Sequence, residues 1–374
     1  MGWLLWLGAC ATVPPTPAAA PPPAPGSPAD ALDAFYQNYS VTLPEVPPSP
    51  AWPDAVDTLL FASCLQPYKP APILEAMQAT KADLFVMLGD NVYGDARGGD
   101  MRLPELREAY ATLAAHEEFA NLVGAIPVVA TWDDHDYGMN DAGASFSARR
   151  FAERIFETFW RVPNDDPRRQ REGVYGVQTF GAEGRRVQLV LLDLRSFKDN
   201  FDPSPTPNQP GTERYVPSDD ATRTLLGPTQ WAWLAETLAA PADLRVVISS
   251  LQVHADGHGY ERWGLFPAER DRFYEALAAR AGGEVVLVSG DRHRAGIYAR
   301  PDLAGGPYPE LTTSSLNLSF GGNEEAGPHR LGPTFVDENF GTMTIDWTGR
   351  TVGLAVHDAK GNVVLDHSAT LGTP

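Results

Sequence analysis

The segment DLFVMLGDNVYGD, residues 83–95, runs through five consecutive apolar residues into Gly89 and Asp90. An apolar run of this length without alternation is typical of a strand that is buried on both faces. Gly89 permits a sharp turn after the strand, so that Asp90 can project its carboxylate into a cleft. An ordinary Asp-Asn turn would use the same residues, so the segment by itself leaves two interpretations open.

Strand-length apolar runs of the same kind alternate with helical patterns from residue 57 to residue 293. This alternation predicts an α/β domain with strands buried inside it. The chain then changes character, because three short strand patterns separated by turn residues occupy residues 340–347, 351–358 and 362–368. These patterns predict an antiparallel meander at the end of the domain.

Polar or ionisable residues follow five of the central strand patterns, at the point where each pattern ends. The segments are LGD at 88–90, TWDDH at 131–135, LDLR at 192–195, SSLQ at 249–252 and SGDRH at 289–293. In open α/β sheets, ligands bind beyond the carboxyl ends of the strands. The sequence therefore predicts a functional site at this edge.

Two of these strand ends carry the most specific chemistry. WDDHD, residues 132–136, sets three carboxylates around one imidazole, and these carboxylates repel one another unless cations or the histidine offset their charge. In GDRH, residues 290–293, Asp291 and His293 can aim at one point, which suits metal ligation by oxygen and imidazole nitrogen. The alternatives are a solvated acidic loop for the first segment and a surface Asp-Arg pair with a loop histidine for the second.

Together these motifs resemble those of the metallophosphoesterases. The longer segments that contain them are more similar to the alkaline phosphatase D family. The resemblance covers roughly residues 57–350, and the combination is far more specific than any single piece. The matching segments are FASC at 61–64, GDNVYGD at 89–95, WDDHDYG at 132–138, LDLRSFKD at 192–199, LGPTQWAWL at 226–234, WGLFPAER at 263–270 and SGDRH at 289–293. It implies a four-layer α/β/β/α sandwich with mixed sheets.

The resemblance also implies two or more metal ions at the strand ends. The expected ligands are Cys64, Asp90, Tyr93, Asp134, Asp291 and His293. Thiolate and phenolate donors at Cys64 and Tyr93 favour Fe³⁺, and the oxygen-rich second site suits Ca²⁺, with Zn²⁺, Mn²⁺ and Mg²⁺ as alternatives. Cys64 could equally be a buried apolar cysteine, which is the commoner role of such residues.

The implied reaction is hydrolysis of a phosphate ester. A metal-bound hydroxide is the expected nucleophile, and His135 is the expected general acid for the leaving oxygen. Asp136 is expected to orient or charge the imidazole of His135. Whether Asp133 also points into the site stays open at this level.

Two further residues are expected to contact the substrate. Arg195 resembles an arginine of the family and would hold phosphate oxygens through its planar fork, and Gln252 would face the same site. The alternative for Arg195 is a loop arginine paired with Asp193 or Asp199. His258, which lies just beyond Gln252, is not assigned to the site.

The first ten residues, MGWLLWLGAC, resemble the lipobox of bacterial lipoproteins, in which the cysteine is lipidated after cleavage. Residues 11–29 consist almost entirely of Ala, Pro, Thr, Ser and Gly and favour an extended polyproline II tether. We therefore expect an exported protein, either periplasmic or attached to a membrane through Cys10. The alternative is an irregular exposed N-terminus.

The expected organisation is a lipoprotein-type signal segment at 1–10, a tether and transition at 11–56 and one phosphatase domain at 57–370. A short helix is expected at 31–39, within the transition. The chain has two cysteines, Cys10 and Cys64, which excludes a disulfide framework.

The composition narrows the functional classes. A formal net charge of −19 argues against a nucleic-acid-binding surface but not against a small phosphate ester. The favoured function is a metal-dependent phosphomonoesterase or phosphodiesterase. The alternatives are a phospholipase D-like phosphodiesterase and a catalytically silent, surface-anchored binding lipoprotein. A silent protein is expected to have lost ligand side chains, and every expected position carries a competent donor.

Overall fold

A computed structural model describes residues 28–322, 324 and 326–372 of the chain. The expected signal segment and most of the expected tether lie outside these residues. The chain divides into two compact units, residues 1–39 and residues 40–374. In the first unit the structure describes one helix, α1 (Pro28–Asn38), which overlaps the short helix expected from the sequence.

The second unit alternates strands and helices over most of its length. Its helices are α2 (Ile73–Ala79), α3 (Pro104–Ala114), α4 (Glu117–Ala125), α5 (Asp134–Tyr137), α6 (Arg149–Phe159), α7 (Gly227–Ala239) and α8 (Pro267–Ala278), with short 3₁₀ turns at Pro167–Gln170 and Trp263–Leu265. Its strands are β1 (Thr58–Ala62), β2 (Leu84–Leu88), β3 (Val128–Thr131), β4 (Gly176–Phe180), β5 (Val187–Leu191), β6 (Asp202–Pro203), β7 (Tyr215–Val216), β8 (Leu244–Ser249), β9 (Glu284–Ser289), β10 (Gly296–Tyr298), β11 (Glu310–Thr312), β12 (Asn339–Asp346), β13 (Thr351–Asp358) and β14 (Val363–Thr370).

Twelve of these strands form two mixed sheets of six strands each, and β6 and β7 pair in a separate two-stranded sheet. The first sheet has the order β14-β13-β12-β1-β2-β3, and the second has the order β10-β11-β9-β8-β5-β4. β1, β2 and β3 are parallel, as are β5, β8, β9 and β11. The C-terminal strands β12 to β14 form the antiparallel meander expected from the sequence and extend the first sheet beside β1.

The two sheets pack face to face over a continuous apolar core. Phe61 and Val86 of the first sheet and Leu189 and Val288 of the second belong to this core and are fully buried. Burial of apolar surface of this kind is the main favourable contribution to folding. Because the carboxyl ends of β1 to β3 and of β8 and β9 border this core, side chains from both sheets can converge there.

Helices cover the two outer faces. α7 and α8 pack on the second sheet, where Trp231 and Phe273 join a separate apolar cluster with Val247. On the first sheet, Phe85 and Met87 alternate with the core residues of β2 and are fully buried on the opposite face. The crossover helices between β1, β2 and β3 cover that face, because the second sheet occupies the other. The predicted α/β class with two mixed sheets is confirmed.

The folded unit begins earlier than the sequence indicates. Residues 40–56, expected as a transition, belong to the second compact unit. The amide of Val46 donates to the carbonyl oxygen of Phe159 at 2.8 Å, and the indole of Trp52 donates to the carbonyl oxygen of Val128 at 3.2 Å. This segment therefore covers β3, which is the edge strand of the first sheet. Within the described part of the chain, no helix has the length and hydropathy needed to cross a membrane.

Candidate metal centre

The predicted ligand residues meet where the strands of both sheets end. The ligand atoms of Cys64, Asp90 and His293 lie within 4.8 Å of one another, and so do those of Asp133, Asp134 and Asp291. Each of these residues directly follows β1, β2, β3 or β9. The converging loops thus place sulfur, carboxylate and imidazole donors in one buried cluster.

The backbone at these loops is held in an uncommon conformation. Cys64, Asp90, Asp291 and His293 have φ angles of 58°, 49°, 60° and 53°. Residues with side chains adopt this left-handed region at a cost of order 1–3 kcal/mol each, and such strain concentrates at functional sites. Four strained residues in one cluster indicate that the fold is built to aim these side chains inward.

Gly89 allows the loop after β2 to lie directly against the loop after β3. Its φ angle is +107°, and a Cβ atom at this position would lie 2.6 Å from the Cβ of Asp133. Any other residue would force the two loops apart and strain the backbone. This close approach brings Asp90 beside Asp133 and Asp134.

One half of the cluster combines a thiol, a phenol and an imidazole around Asp90. The Tyr93 hydroxyl donates to Asp90 Oδ2 at 3.1 Å and lies 3.4 Å from His293 Nε2. The Cys64 thiol donates to the same carboxylate oxygen at 3.6 Å. Nδ1 of His293 bonds to the carbonyl oxygen of Leu318, so that Nε2 turns towards the cluster. This is the arrangement that orients a metal-ligating histidine.

The other half of the cluster is built from carboxylates. Asp134 lies in three groups of neighbouring donors, with Asp133 and Asp291, with Asp90 and His135, and with Asp141 and Glu261. The open question about Asp133 is answered, because its side chain points into this cluster. The sequence drew no attention to Asp141 or Glu261.

Three aspartate oxygens of the cluster are buried and accept no hydrogen bond from the residues that the structure describes, namely Asp90 Oδ1, Asp133 Oδ2 and Asp134 Oδ1. Leaving such atoms without a partner is costly. Burial raises the pKa of Asp90 and of Asp291 well above the usual range and raises that of Asp133 to about 7. The donor set therefore fits metal cations, which would supply the missing partners and allow the carboxylates to ionise.

The structure corrects the predicted partner of His135. Its Nδ1 atom lies 3.0 and 2.9 Å from the two carboxylate oxygens of Asp95. Asp136 instead accepts hydrogen bonds from the amides of Asn91 at 2.6 Å and Asp133 at 2.7 Å, and burial raises its pKa to about 8. Asp136 thus ties two loops together through backbone amides, and Asp95 takes the place beside the imidazole that was expected for Asp136. Asp95 is the last residue of the GDNVYGD segment, so this motif contains the hydrogen-bond partner of His135.

His135 lies among negative charges. Burial by itself lowers the pKa of His135, but the carboxylates of Asp134, Asp90 and Asp95 outweigh it and raise the pKa to about 11. The imidazole is therefore a positively charged proton donor in the metal-free protein. Its ring also packs against Tyr93, with the ring centroids 4.3 Å apart.

The side chain of Arg195 makes internal contacts. Its guanidinium is fully buried, pairs with Asp133 and lies 2.8 Å from Glu261 Oε2. Lys198 lies 3.1 Å from the other oxygen of Glu261. The side chain therefore pairs with neither Asp193 nor Asp199, the partners of the alternative interpretation, and the expected phosphate contact stays a prediction. Arg195 is a counter-charge inside the protein, and only tertiary structure brings it to Asp133.

Gln252 is likewise committed to internal contacts. Its Nε2 atom donates to Thr312 Oγ1 at 2.9 Å, and its Oε1 atom lies 3.0 Å from His258 Nε2. Both ends of the amide are used, and the residue is 1% exposed. Both groups of the amide therefore take part in internal hydrogen bonds, and the expected contact of Gln252 with substrate stays a prediction.

Phe320 is a further residue that the sequence did not indicate. It is 56% exposed, and its ring stacks on His293 with the centroids 4.1 Å apart. Its amide also donates to the carbonyl oxygen of His293 at 3.4 Å. An exposed aromatic ring thus covers one face of a predicted ligand.

The fold and the site together have the layout of a metallophosphatase, an α/β sandwich with candidate metal ligands clustered beyond the strand ends. The family model described as "PhoD-like phosphatase" matches residues 59–366, and the chain belongs to this family. The resemblance seen in the sequence is confirmed.

Individual relatives agree with this assignment. Alkaline phosphatase D of Bacillus subtilis (strain 168) is 24% identical over 273 residues, which cover 63% of this chain and 46% of the relative. The chain thus spans about half the length of this curated relative. A solved structure of PhoD is 19% identical, with a TM-score of 0.64, and the match covers 88% of this chain and 70% of that one.

A second solved structure supports the same fold. The purple acid phosphatase PPD1 from yellow lupin (Lupinus luteus) seeds is 11% identical, with a TM-score of 0.55. The match covers 86% of this chain and 55% of the lupin protein.

Asp95→Asn is expected to lower the pKa of His135, because it removes a carboxylate that stabilises the imidazolium. The measurement is an NMR titration of the His135 ring in chelator-treated protein, and the parent value is expected near 11. Asp366→Asn, on the exposed side of β14, removes an equal charge far along the chain and serves as the control. An unchanged pKa in the Asp95 variant would contradict the proposed pairing.

Proposed function

We propose that this protein is a metal-dependent hydrolase of phosphate esters, acting as a phosphomonoesterase or phosphodiesterase. The observation that carries the proposal is the set of buried, unpaired carboxylate oxygens on Asp90, Asp133 and Asp134 within one donor cluster. Membership of the PhoD-like phosphatase family and the name of the Bacillus subtilis relative support the same chemistry.

The donors divide into two sets that suit different cations. Cys64, Asp90, Tyr93 and His293 would hold one ion, and their thiol and phenol groups favour Fe³⁺. Asp134 and Asp291 would hold a second ion with Asp90 between the two, and this oxygen-rich set suits Ca²⁺, with Zn²⁺, Mn²⁺ or Mg²⁺ as alternatives. Bound cations would neutralise the phosphate and lower the pKa of a water molecule to about 7.

His135 is the group that would move a proton. Asp95 holds its Nδ1 atom, which leaves Nε2 to protonate the departing alkoxide. Asp90 and Asp134 cause part of the rise in the pKa of His135, so neutralisation of these carboxylates would bring the pKa closer to neutrality. The imidazolium would then be easier to deprotonate when the ester bond breaks.

Buried charges on the other side of the site would keep the carboxylates in position. Arg195 and Lys198 surround Glu261, and Arg195 also pairs with Asp133. Since these groups lie inside the protein, water screens their charges only weakly, and their attraction holds the loops in place. Loss of Arg195 would leave two buried carboxylates without their counter-charge.

Metal analysis combined with hydrolysis of p-nitrophenyl phosphate and bis-p-nitrophenyl phosphate tests this proposal. The purified protein is expected to contain bound metal and to hydrolyse at least one ester. His135→Asn is expected to lower kcat by roughly 10²–10⁴-fold with unchanged metal content, the contribution typical of a general acid. His367→Asn, in β14, is the matched control and is expected to keep the parent activity.

Two results would contradict the proposal in different ways. A metal-free protein without hydrolysis of either ester would favour the silent binding lipoprotein. A metal-loaded protein whose hydrolysis survives His135→Asn would leave the enzyme class standing and remove the role of His135.

Hydrolysis of the diester alone would place the chain among phosphodiesterases, the class of the phospholipase D-like alternative.

We also propose that the protein is exported and attached to a membrane through a lipid on Cys10. The lipobox-like segment 1–10 and the adjoining Pro/Ala-rich tether support this proposal from the sequence. Cys10→Ser is expected to move the protein from the membrane fraction to the soluble fraction of cells that express it. A Cys10→Ser protein that stays with the membrane would contradict the lipid anchor.

A further inference from the structure

The segment that follows β11, residues 313–320, connects candidate ligands from the two sheets. The Ser314 hydroxyl lies 3.0 Å from the thiol sulfur of Cys64, in the loop after β1 of the first sheet. The same hydroxyl accepts a hydrogen bond from the amide of His293, in the loop after β9 of the second sheet, at 2.7 Å. The segment is therefore bonded directly to the candidate metal centre.

Asn317 and Leu318 fix the segment further along. The carboxamide of Asn317 is buried, accepts a hydrogen bond from the amide of Gln66 at 2.7 Å and donates to the carbonyl oxygen of Gln66 at 3.0 Å. The carbonyl oxygen of Leu318 bonds to Nδ1 of His293. Because satisfied hydrogen-bond networks of this kind make the backbone rigid, the chain approaches Phe320 from a fixed position.

Phe320 covers one face of the His293 imidazole. The centroids of the two rings lie 4.1 Å apart, and the ring planes differ by 27°. The amide of Phe320 also donates to the carbonyl oxygen of His293 at 3.4 Å. A ring contact and a backbone hydrogen bond to the same residue thus hold the phenyl ring against a candidate metal ligand.

The rest of the Phe320 ring is accessible to solvent. The residue is 56% exposed, the largest value among the exposed large apolar side chains in the described part of the chain. Since the imidazole covers one face, this exposure belongs to the ring edge and the other face. Space is also open beside it, because a Cβ atom at Gly321 would meet no described atom within 4 Å.

Single exposed apolar side chains are common on protein surfaces and by themselves need no explanation. Phe320 differs from such residues because its contacts fix it at the edge of the metal centre. A phosphate group held by cations at His293 would have the ring as a neighbour, together with the alcohol attached to the phosphorus. Aromatic rings favour offset-stacked or edge-to-face contacts with one another, and these contacts add to the effect of burying apolar surface.

We infer that Phe320 is a specificity-determining residue that favours phosphate esters whose alcohol carries an aromatic ring. The inference rests on the proposed phosphatase function and adds a substrate class to it. A saturated ring of the same size would also bury apolar surface against Phe320 but would lack the interaction between two aromatic rings. The expected selectivity is therefore for aromatic over saturated rings.

Two phosphonates test this selectivity by binding alone. Phenethylphosphonate and cyclohexylethylphosphonate mimic the phosphate esters of benzyl alcohol and cyclohexylmethanol, but carbon replaces the ester oxygen, so neither is hydrolysed. Calorimetric titration of the metal-loaded protein is expected to give a Kd about fivefold lower for the phenyl compound, the effect typical of one aromatic pair. The cyclohexyl ring is at least as apolar, so burial of apolar surface by itself would not produce this preference.

Three variants identify the source of the preference. Phe320→Leu keeps an apolar side chain over His293 without the aromatic ring, and its preference is expected to fall below about twofold at unchanged metal content. Phe320→Tyr keeps a ring and is expected to keep the preference. Phe35→Leu makes the same substitution at a phenylalanine of α1 that is 45% exposed, and it is expected to leave the parent preference unchanged.

The outcomes separate the inference from the function on which it rests. Equal affinities of the parent protein for the two phosphonates, or an unchanged preference in Phe320→Leu, would overturn the role of Phe320 while the phosphatase function stands. Loss of metal from Phe320→Leu with equal weakening of both phosphonates would also overturn it, because the ring would then only support His293. An equal loss of preference in Phe35→Leu would do the same. Binding of neither phosphonate by the metal-loaded parent would overturn both proposals.

Discussion

The repulsion among buried carboxylates is the constraint around which this structure is organised. Asp90, Asp133 and Asp134 are buried at one edge of the two sheets, and the half-buried Asp291 lies beside them. Carboxylates in such a position either take up protons or require positive charge nearby. Burial raises the pKa of most of them, whereas His135 and Arg195 overcome burial at Asp134 and hold its pKa below the usual range. Further cations would relieve this repulsion without protonation of the carboxylates.

The fold supplies part of that positive charge and leaves the rest to ligands. Arg195 neutralises Asp133 and Glu261 from inside the protein, and His135 adds a charge that Asp95 stabilises. Oxygens of Asp90 and Asp134 remain without partners among the described residues. The two sheets pack over one apolar core, and the favourable free energy of burying this core offsets the cost of backbone strain and carboxylate desolvation in the loops. The loops that carry the candidate ligands are thus also the loops in which folding is costly.

Local sequence patterns predicted the fold and the membership of the cluster better than the contacts within it. Strand patterns followed by acids and histidines are local features, and they indicated Asp90, Asp134, Asp291 and His293. The family resemblance added Cys64 and Tyr93, and the structure places all six side chains in one cluster. The sequence did not indicate the protein partners of His135 and Arg195, because Asp95, Asp133 and Glu261 reach them through tertiary packing. The sequence also did not indicate that residues 40–56 pack on an edge strand, since Pro-rich residues without strand or helix patterns can still make such contacts. Adjacency along the chain, as between His135 and Asp136, does not determine which side chains face each other.

In the proposed centre, metal ions neutralise the negative charges of two adjacent donor sets. A crystal structure of the purified protein with anomalous scattering data at the metal absorption edges tests it directly. The expected result is one ion in contact with Cys64, Tyr93 and His293, a second in contact with Asp134 and Asp291, and Asp90 between them. Ions bound elsewhere, or a cluster without anomalous density in protein supplied with iron and calcium, would contradict the account.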